Sequence, residues 1–325
     1  MVLKKKEYTC VKDKIIIIIL LIIIMLNICN NNVNAKKEEV KMINIMFWNI
    51  FEGGGQSKMK HIKHYIQQQD IVTFSELNHW NEETFHEYFK DTHPYTIFLK
   101  TKTGYHLGCI SKQPIEEIKK SNEIPMHHGY IYFQSYNYNI LLTHLSPHSS
   151  VVRLKEVQHL NALTRKYNVT TDKQLPLLMM GDMNTLSTVD KYEENVMKML
   201  FNNKLTRRKF FNNNNDDDDK TPDYAPYKYI INNNNMYDTG TSNDYTVPTP
   251  VNTDFMHAAK LRLDYIFCSN TFYLNNNDRR SHDDVMIHSI VHKNNVVEKL
   301  SDHYPISISL PLHHDNRIES YKSDL

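Results

Sequence analysis

Two polar side chains one residue apart, Asp182 and Asn184, follow the apolar run Leu177-Leu178-Met179-Met180 and the glycine Gly181. An apolar run of that length reads as a buried strand, and the residues where it leaves its sheet are free to face a cleft. A carboxylate can accept a proton or hold a cation. An amide can donate a hydrogen bond to an oxyanion without adding charge, so the pair suits a phosphate or carbonyl centre. Alone, Gly-Asp-x-Asn equally describes a strand ending in an Asx turn. Its weight comes from stretches that answer to it: Phe47-Trp48-Asn49-Ile50, Thr73-Phe74-Ser75-Glu76-Leu77-Asn78, Leu141-Leu142-Thr143-His144-Leu145-Ser146-Pro147 and Leu263-Asp264-Tyr265-Ile266-Phe267. Each sets one polar group inside or at the end of an apolar run, and Ser301-Asp302-His303-Tyr304-Pro305 opens the last one.

Those residue types match the needs of phosphodiester hydrolysis: neutralised phosphoryl oxygens, an activated water and a donor for the leaving oxygen. Glu76 and Asp302, with Asn49, are hard oxygen ligands of the kind that Mg²⁺ or Mn²⁺ prefers. His303 titrates near neutrality and is the first candidate for general base. A carboxylate inside the run Leu263-Asp264-Tyr265 is costly to bury unless it is paired. Asn184 and His144 are candidates to bind the non-bridging oxygens, His144 also to protonate the leaving group.

In their order along the chain, from about Met42 to Leu312, these six motifs resemble the endonuclease/exonuclease/phosphatase superfamily, which includes DNase I, exonuclease III and the neutral sphingomyelinases. The resemblance implies an α/β four-layer sandwich, two mixed β-sheets packed face to face with helices on the outer faces. It implies Glu76 as principal metal carboxylate, Asp264 as partner of His303, and Asp182 beside the attacking water as the competing base. The inositol-polyphosphate phosphatase branch carries Trp before Gly-Asp-x-Asn and Arg after it, where this chain has Met180 and Thr185. The motifs therefore imply a reaction, metal-dependent phosphoester hydrolysis, without a substrate. A secreted nuclease-like phosphodiesterase is the first expectation, a sphingomyelinase-like phospholipase the second, and an inactive binding protein on the same fold the third. The expected partner is a phosphodiester, in nucleic acid or a phospholipid headgroup, and no stable protein partner is implied.

The elements that must position these groups are legible as periodicities. Ile43 to Trp48 and Ile71 to Phe74 read as strands, with Met59, Ile62 and Ile66 marking a helix between them. Such a unit places Asn49 and Glu76 at the ends of neighbouring strands, where α/β folds put their sites. A short helix carries Phe85, Tyr88 and Phe89 on one face. Strands follow at Tyr95 to Leu99, His106 to Ser111, Tyr130 to Tyr136 and Asn139 to His144. Val152 to Tyr167 is helical by spacing, with Leu154, Val157, Leu160 and Leu163 inward. A further helix lies near Asp190 to Leu200, and strands at Leu261 to Cys268, Val285 to Val291 and Ile306 to Leu310 complete the set.

At the N-terminus, Lys4, Lys5, Lys6, Lys12 and Lys14 precede the apolar run Ile15 to Leu26, and Val33-Asn34-Ala35 offers small residues at a cleavage spacing. Twelve apolar residues make ~18 Å of helix, short of a ~30 Å hydrocarbon core, so residues 1–35 read as a signal peptide rather than a transmembrane span. The expected destination after cleavage near Ala35 is the secretory pathway, in a lumen or outside the cell. Residues 36–325 are expected to form one catalytic domain. Without the five lysines and two acidic residues of the leader, the chain has 33 basic against 35 acidic residues, a net −2 that excludes a bulk polycation. The 18 histidines would make its surface cationic in an acidic compartment. Of the cysteines outside the leader, Cys109 and Cys268 sit in apolar runs and are expected as buried free thiols rather than a disulfide.

Low-complexity runs fall at about 207–240: Asn212 to Asn215, Asp216 to Asp219 and Asn232 to Asn235 are expected as solvated loop insertions. Within the same region Arg207-Arg208-Lys209-Phe210-Phe211 and Tyr224 to Ile231 interleave cations with aromatics, a pattern for stacking on bases or seating in a membrane interface. His127, His128, His313, His314 and His282-Asp283-Asp284 match none of the motifs and are expected at the surface. Asn168-Val169-Thr170 is a glycosylation acceptor.

Overall fold

Strand β1 (Met42–Asn49), helix α1 (Gly55–Ile66) and strand β2 (Ile71–Ser75) form a strand–helix–strand unit with its two strands parallel and Asn49 opposite Ser75. The helix buries the three residues whose spacing announces it, Met59, Ile62 and Ile66. The computed structural model describes residues 41–170, 175–211, 221–242, 244–253, 257–269 and 287–312, with residues 168–170 defined by backbone alone. The leader at 1–35, the runs Asn212 to Asn215 and Asp216 to Asp219, His282 to Asp284, His313, His314 and the Asn168 side chain lie outside that description. A compact unit begins at Met42.

After α2 (Glu82–Phe89), whose Asn81 and Thr84 form a capping box, come β3 (Tyr95–Leu99), β4 (Leu107–Ser111), β5 (Glu116–Ser121), β6 (Tyr130–Ser135) and β7 (Tyr138–His144). Helix α3 (Ser150–Thr170) returns the chain to β8 (Leu177–Asp182), parallel to β7 with His144 opposite Asp182. Then follow α4 (Glu194–Asn202), α5 (Lys204–Phe210), α6 (Ala225–Asn233), β9 (Met236–Asp238), β10 (Asp264–Ser269), β11 (Ile290–Val291) and β12 (Ile306–Pro311). The strands form two six-stranded mixed sheets, ordered β11-β12-β1-β2-β4-β3 and β5-β6-β7-β8-β10-β9.

Residues of both sheets share one buried cluster, among them Ile45, Phe47, Ile71 and Leu107 from the first and Phe133, Ile140, Leu178, Met180 and Ile266 from the second. The other face of the first sheet packs on α1 and α2 through Phe74, Phe85 and Phe89, and that of the second on α3 and α6 through Leu160, Tyr227 and Phe267. This is the expected four-layer sandwich. Each fully buried side chain of this size contributes about 1.5–3 kcal/mol, so drawing the sheets apart is not an accessible motion. Cys109 and Cys268 are buried and free, and burial raises both thiols.

Several expectations change. Arg207 to Phe211 and Tyr224 to Ile231 lie largely within helices α5 and α6 rather than loops, with Asn232 and Asn233 ending α6 and Asn234 capping it. Phe210, Phe211, Tyr227 and Ile230 are buried, so these aromatics belong to the core and not to a stacking or membrane surface. On α3 the buried face includes Arg153 and Glu156, while Leu154 and Leu163 are only half-buried. Strand β5 has no apolar alternation because it is an edge strand, paired on one side with β6. Among the described residues no helix is long and apolar enough to cross a membrane.

Candidate active site

The parallel pairs of the two sheets end at one place. Asn49 closes β1, its Nδ2 donating to Glu76 Oε1 (3.0 Å) just past β2 and to Asp182 Oδ2 (3.2 Å) at the end of β8. One amide thus spans both sheets. Glu76 adopts φ 59°, a left-handed conformation that costs a residue with a Cβ but turns its carboxylate back toward Asn49. Asp182 faces Asp264 across the antiparallel β8–β10 pair, and its Oδ1 accepts from the Asn184 backbone N–H at 2.9 Å. Asn184, also left-handed at φ 49°, donates its side-chain amide to Leu145 O at 2.9 Å. Gly181 makes this convergence possible: at φ 150° a Cβ there would overlap the carbonyl oxygen of Thr143, one residue before His144.

The segment 301–303 is tied to the end of β1. Trp48 Nε1 donates to His303 O (3.0 Å), and Ser301 Oγ donates to Asn49 O (2.6 Å) while accepting from His303 N (3.1 Å). These bonds bring the His303 ring between two carboxylates of the other sheet, with Nδ1 2.7 Å from Asp264 Oδ2 and Nε2 3.8 Å from Asp182 Oδ2. His144 Nε2 lies 3.6 Å from the same Asp182 oxygen. All eight sequence candidates, Asn49, Glu76, His144, Asp182, Asn184, Asp264, Asp302 and His303, thus gather at this seam.

Burial dominates the electrostatics, and charge decides its outcome. Burial would lower His303, but Asp264, Asp302 and Asp182 outweigh it and push the imidazole up to about 10. Burial lifts Asp264 to about 6 against the pull of His303, so the pair is an ion pair at neutral pH. Glu76, half-buried at the cleft, is pushed up to about 7 by desolvation and then by Asp302, against its hydrogen bond from Asn49. His144 is held well below the usual imidazole range by burial and by His303, which keeps it neutral.

Several residues here escaped the sequence reading. His128 is buried rather than at the surface, its ring stacked on His144 at 4.2 Å, and His127 is half-buried beside it. Glu156 Oε1 accepts from His127 N (2.7 Å) and Oε2 from Ser146 N (2.8 Å), while Arg153 Nη1 donates to Ser146 O (2.9 Å) and Nη2 to the Lys209 carbonyl. This charged pair clamps the turn after His144. Its one sequence signal is spacing: Arg153, Glu156, Val157 and Leu160 repeat on one helical face. His257 lies beside His303, ring centroids 5.2 Å apart, with Nδ1 3.5 Å from Asp302 Oδ2.

Fold and site together define a phosphoesterase type of architecture, with a buried cluster of carboxylates and imidazoles that could hold a metal. The chain belongs to the Endonuclease/Exonuclease/phosphatase family, whose model matches residues 46–303. Solved structures of similar fold include an AP endonuclease from Archaeoglobus fulgidus, with 17% identity, 83% of this chain and 99% of that one covered, and a TM-score of 0.54. A 3'-5' exonuclease (NExo) from Neisseria meningitidis has 14% identity over 82% of this chain and 98% of that one, with a TM-score of 0.56. Truncated Caenorhabditis elegans TDP2 has 14% identity over 84% of this chain and all of that one, with a TM-score of 0.50. No curated protein sequence matches the chain.

Proposed function

We propose that the protein is a secreted, divalent-metal-dependent phosphodiesterase with a nuclease-like substrate. The observation that supports this most is the seam itself: Glu76, Asp182, Asp264 and Asp302 converge there, with His303 ion-paired to one of them. The Glu76 carboxyl, raised by desolvation first and by Asp302 second, and the neighbouring carboxylates fit a hard divalent cation beside Glu76, Asp302 and Asn49. When bound, Mg²⁺ or Mn²⁺ supplies charge neutralisation at a phosphoryl oxygen.

The rest is done by the chain's own side chains. Asn184 and neutral His144 donate hydrogen bonds to non-bridging oxygens. His303 Nε2 has no hydrogen-bond partner among the described residues and is the atom that accepts the proton of water. Asp264, on Nδ1, fixes the tautomer that leaves Nε2 able to do so. Surrounded by carboxylates His303 is cationic, so it serves as base once that negative charge is offset; Asp182, 3.8 Å away, is the alternative.

The nuclease-like choice draws on the fold neighbours named as nucleases, and secretion draws on the Lys- and Ile-rich N-terminus. The phospholipase alternative keeps its secretory motive, but burial of Phe210, Phe211 and Tyr227 removes most of the aromatic surface that favoured it. Purified protein assayed on DNA, sphingomyelin and a bis-aryl phosphate, each with Mg²⁺ and with EDTA, tests the reading. EDTA-sensitive cleavage of DNA and the bis-aryl ester is expected. Turnover of sphingomyelin alone would move the substrate to lipid.

A further inference from the structure

His257, Asp302 and His303 present ligand atoms that all lie within 4.8 Å of one another, and two imidazoles with one carboxylate are the donor set of a borderline transition metal. Lys209 decides against that use. Its Nζ lies 3.3 Å from His257 Nε2, and an ammonium has only protons to offer, so Nε2 is the acceptor and the ring proton sits on Nδ1. That proton faces Asp302 Oδ2 3.5 Å away, an ionic contact rather than a formed hydrogen bond. A metal on Nδ1 would move the proton to Nε2, against the lysine cation.

We propose instead that His257, set by Lys209, is the positioning residue of the metal carboxylate Asp302; this rests on the reading above that Asp302 holds the ion. Two observations agree. Lys209 is fully buried although it follows two arginines in a run that reads as solvated, and its backbone carbonyl is held by the buried Arg153. His257 packs edge-on against His303 at 87°, which fixes the plane of its ring. A donor behind a ligating carboxylate restricts its rotation, so the ion meets an oxygen already in place. Lys209, on α5, therefore acts on the metal through His257 without touching it.

Mn²⁺ binding to the purified full-length protein, measured by calorimetry without substrate, tests this. His257→Phe keeps the ring packing and removes the proton; it should weaken Mn²⁺ about tenfold, the usual scale for such partners, while His257→Asn, whose amide can donate from a similar position, should recover to within about threefold. Lys209→Met should weaken binding in the same direction, and raising Mg²⁺ should restore most of the lost turnover in each variant. Unchanged Mn²⁺ affinity in a folded His257→Phe protein, checked by its thermal melt, would overturn the inference. Glu76→Gln in the same series separates the two readings. If it alone weakens Mn²⁺, the metal placement stands without His257; if it too leaves affinity unchanged, both fall.

Discussion

The two sheets are built alike at their centres and differ at their ends. Each holds a strand–helix–strand unit, β1-α1-β2 and β7-α3-β8, whose parallel strands finish at the seam. The first sheet ends in Asn49 and Glu76, and the segment before β12 adds Asp302 and His303. The second ends in His144 and Asp182, followed by Asn184, and adds Asp264 at the start of β10, opposite Asp182. Each side therefore offers two carboxylates, one amide and one imidazole, and the difference lies in the pairing: His303 of the first is ion-paired to Asp264 of the second, while His144 is held neutral. On the proposed reading the difference is a division of labour, in which the first sheet holds the ion and the second holds the phosphoryl group and tunes the base. The inter-sheet core keeps the halves in register.

The largest effect should follow from cutting the bond that joins the sheets at His303. His303→Ala should lower kcat by roughly 10² to 10⁴ and leave the metal requirement nearly as it was. Because Asp264 reaches the reaction only through His303, at 2.7 Å, adding Asp264→Ala should cost little more. Steady-state kinetics of the single and double variants check this, and additive losses would give Asp264 a separate role. A bound cation offsets part of the carboxylate charge that raises His303 in the metal-free protein, so a pH–rate profile at saturating Mg²⁺ should show activity rising through an ionisation lower than that of the metal-free protein and absent in His303→Ala.

A smaller effect concerns the first sheet alone. Glu76 has a folded pKa of about 7, above its ordinary 4.5, so the folded metal-free protein binds this proton more tightly than the unfolded chain. That contribution to stability is present below about 4.5 and is lost as pH rises toward about 7. Glu76→Gln should therefore stabilise the metal-free protein above neutrality, on the order of 2 kcal/mol at most given the partial exposure of the carboxyl, while reducing stabilisation by added Mg²⁺. Denaturant melts at pH 5 and pH 8, with and without metal, read both signs. A variant less stable than its parent at pH 8 in EDTA would show that the carboxylate is compensated within the chain.

The smallest effect is expected away from the seam. Phe211 and Pro222 are bridged, so the ends of the segment carrying Asn212 to Asp219 already meet. Replacing that run with a short Gly-Ser linker should change stability by under about 1 kcal/mol, since loop closure depends only weakly on length. Activity should persist. Loss of the transition in a melt would show that the run is structural.

Strand-end chemistry was legible because it interrupts apolar runs: Asp264 in Leu263-Asp264-Tyr265 and Glu76 after Ile71 to Ser75 stand out as polar groups with a burial cost. Arg153, Glu156, Lys209, His128 and His257 were not legible, because a single charged or imidazole side chain on a helix or in a turn can reach solvent at no cost and its spacing does not say whether it does. Their burial follows from contacts distant in sequence: α3 against the turn at Ser146, α5 against Arg153, and the His128 ring over His144. The helical character of 204–210 was likewise hidden. Its Asn203 cap accepts from Leu205 N and Thr206 N, but the adjacent asparagine tract reads as loop.

The division between the sheets is tested most directly by titrating Mg²⁺ against hydrolysis of a bis-aryl phosphate in Glu76→Gln and Asn184→Gly, the second chosen because glycine tolerates the left-handed backbone at that position. Glu76→Gln should raise the half-saturating Mg²⁺ by tenfold or more, roughly the scale for losing a charged ligand, with kcat largely recovered at high metal. Asn184→Gly should keep the parent's half-saturation and lose about 10² to 10³ in kcat, the usual cost of removing one donor to a developing oxyanion. The same pattern in both variants, or turnover indifferent to EDTA, would contradict the account.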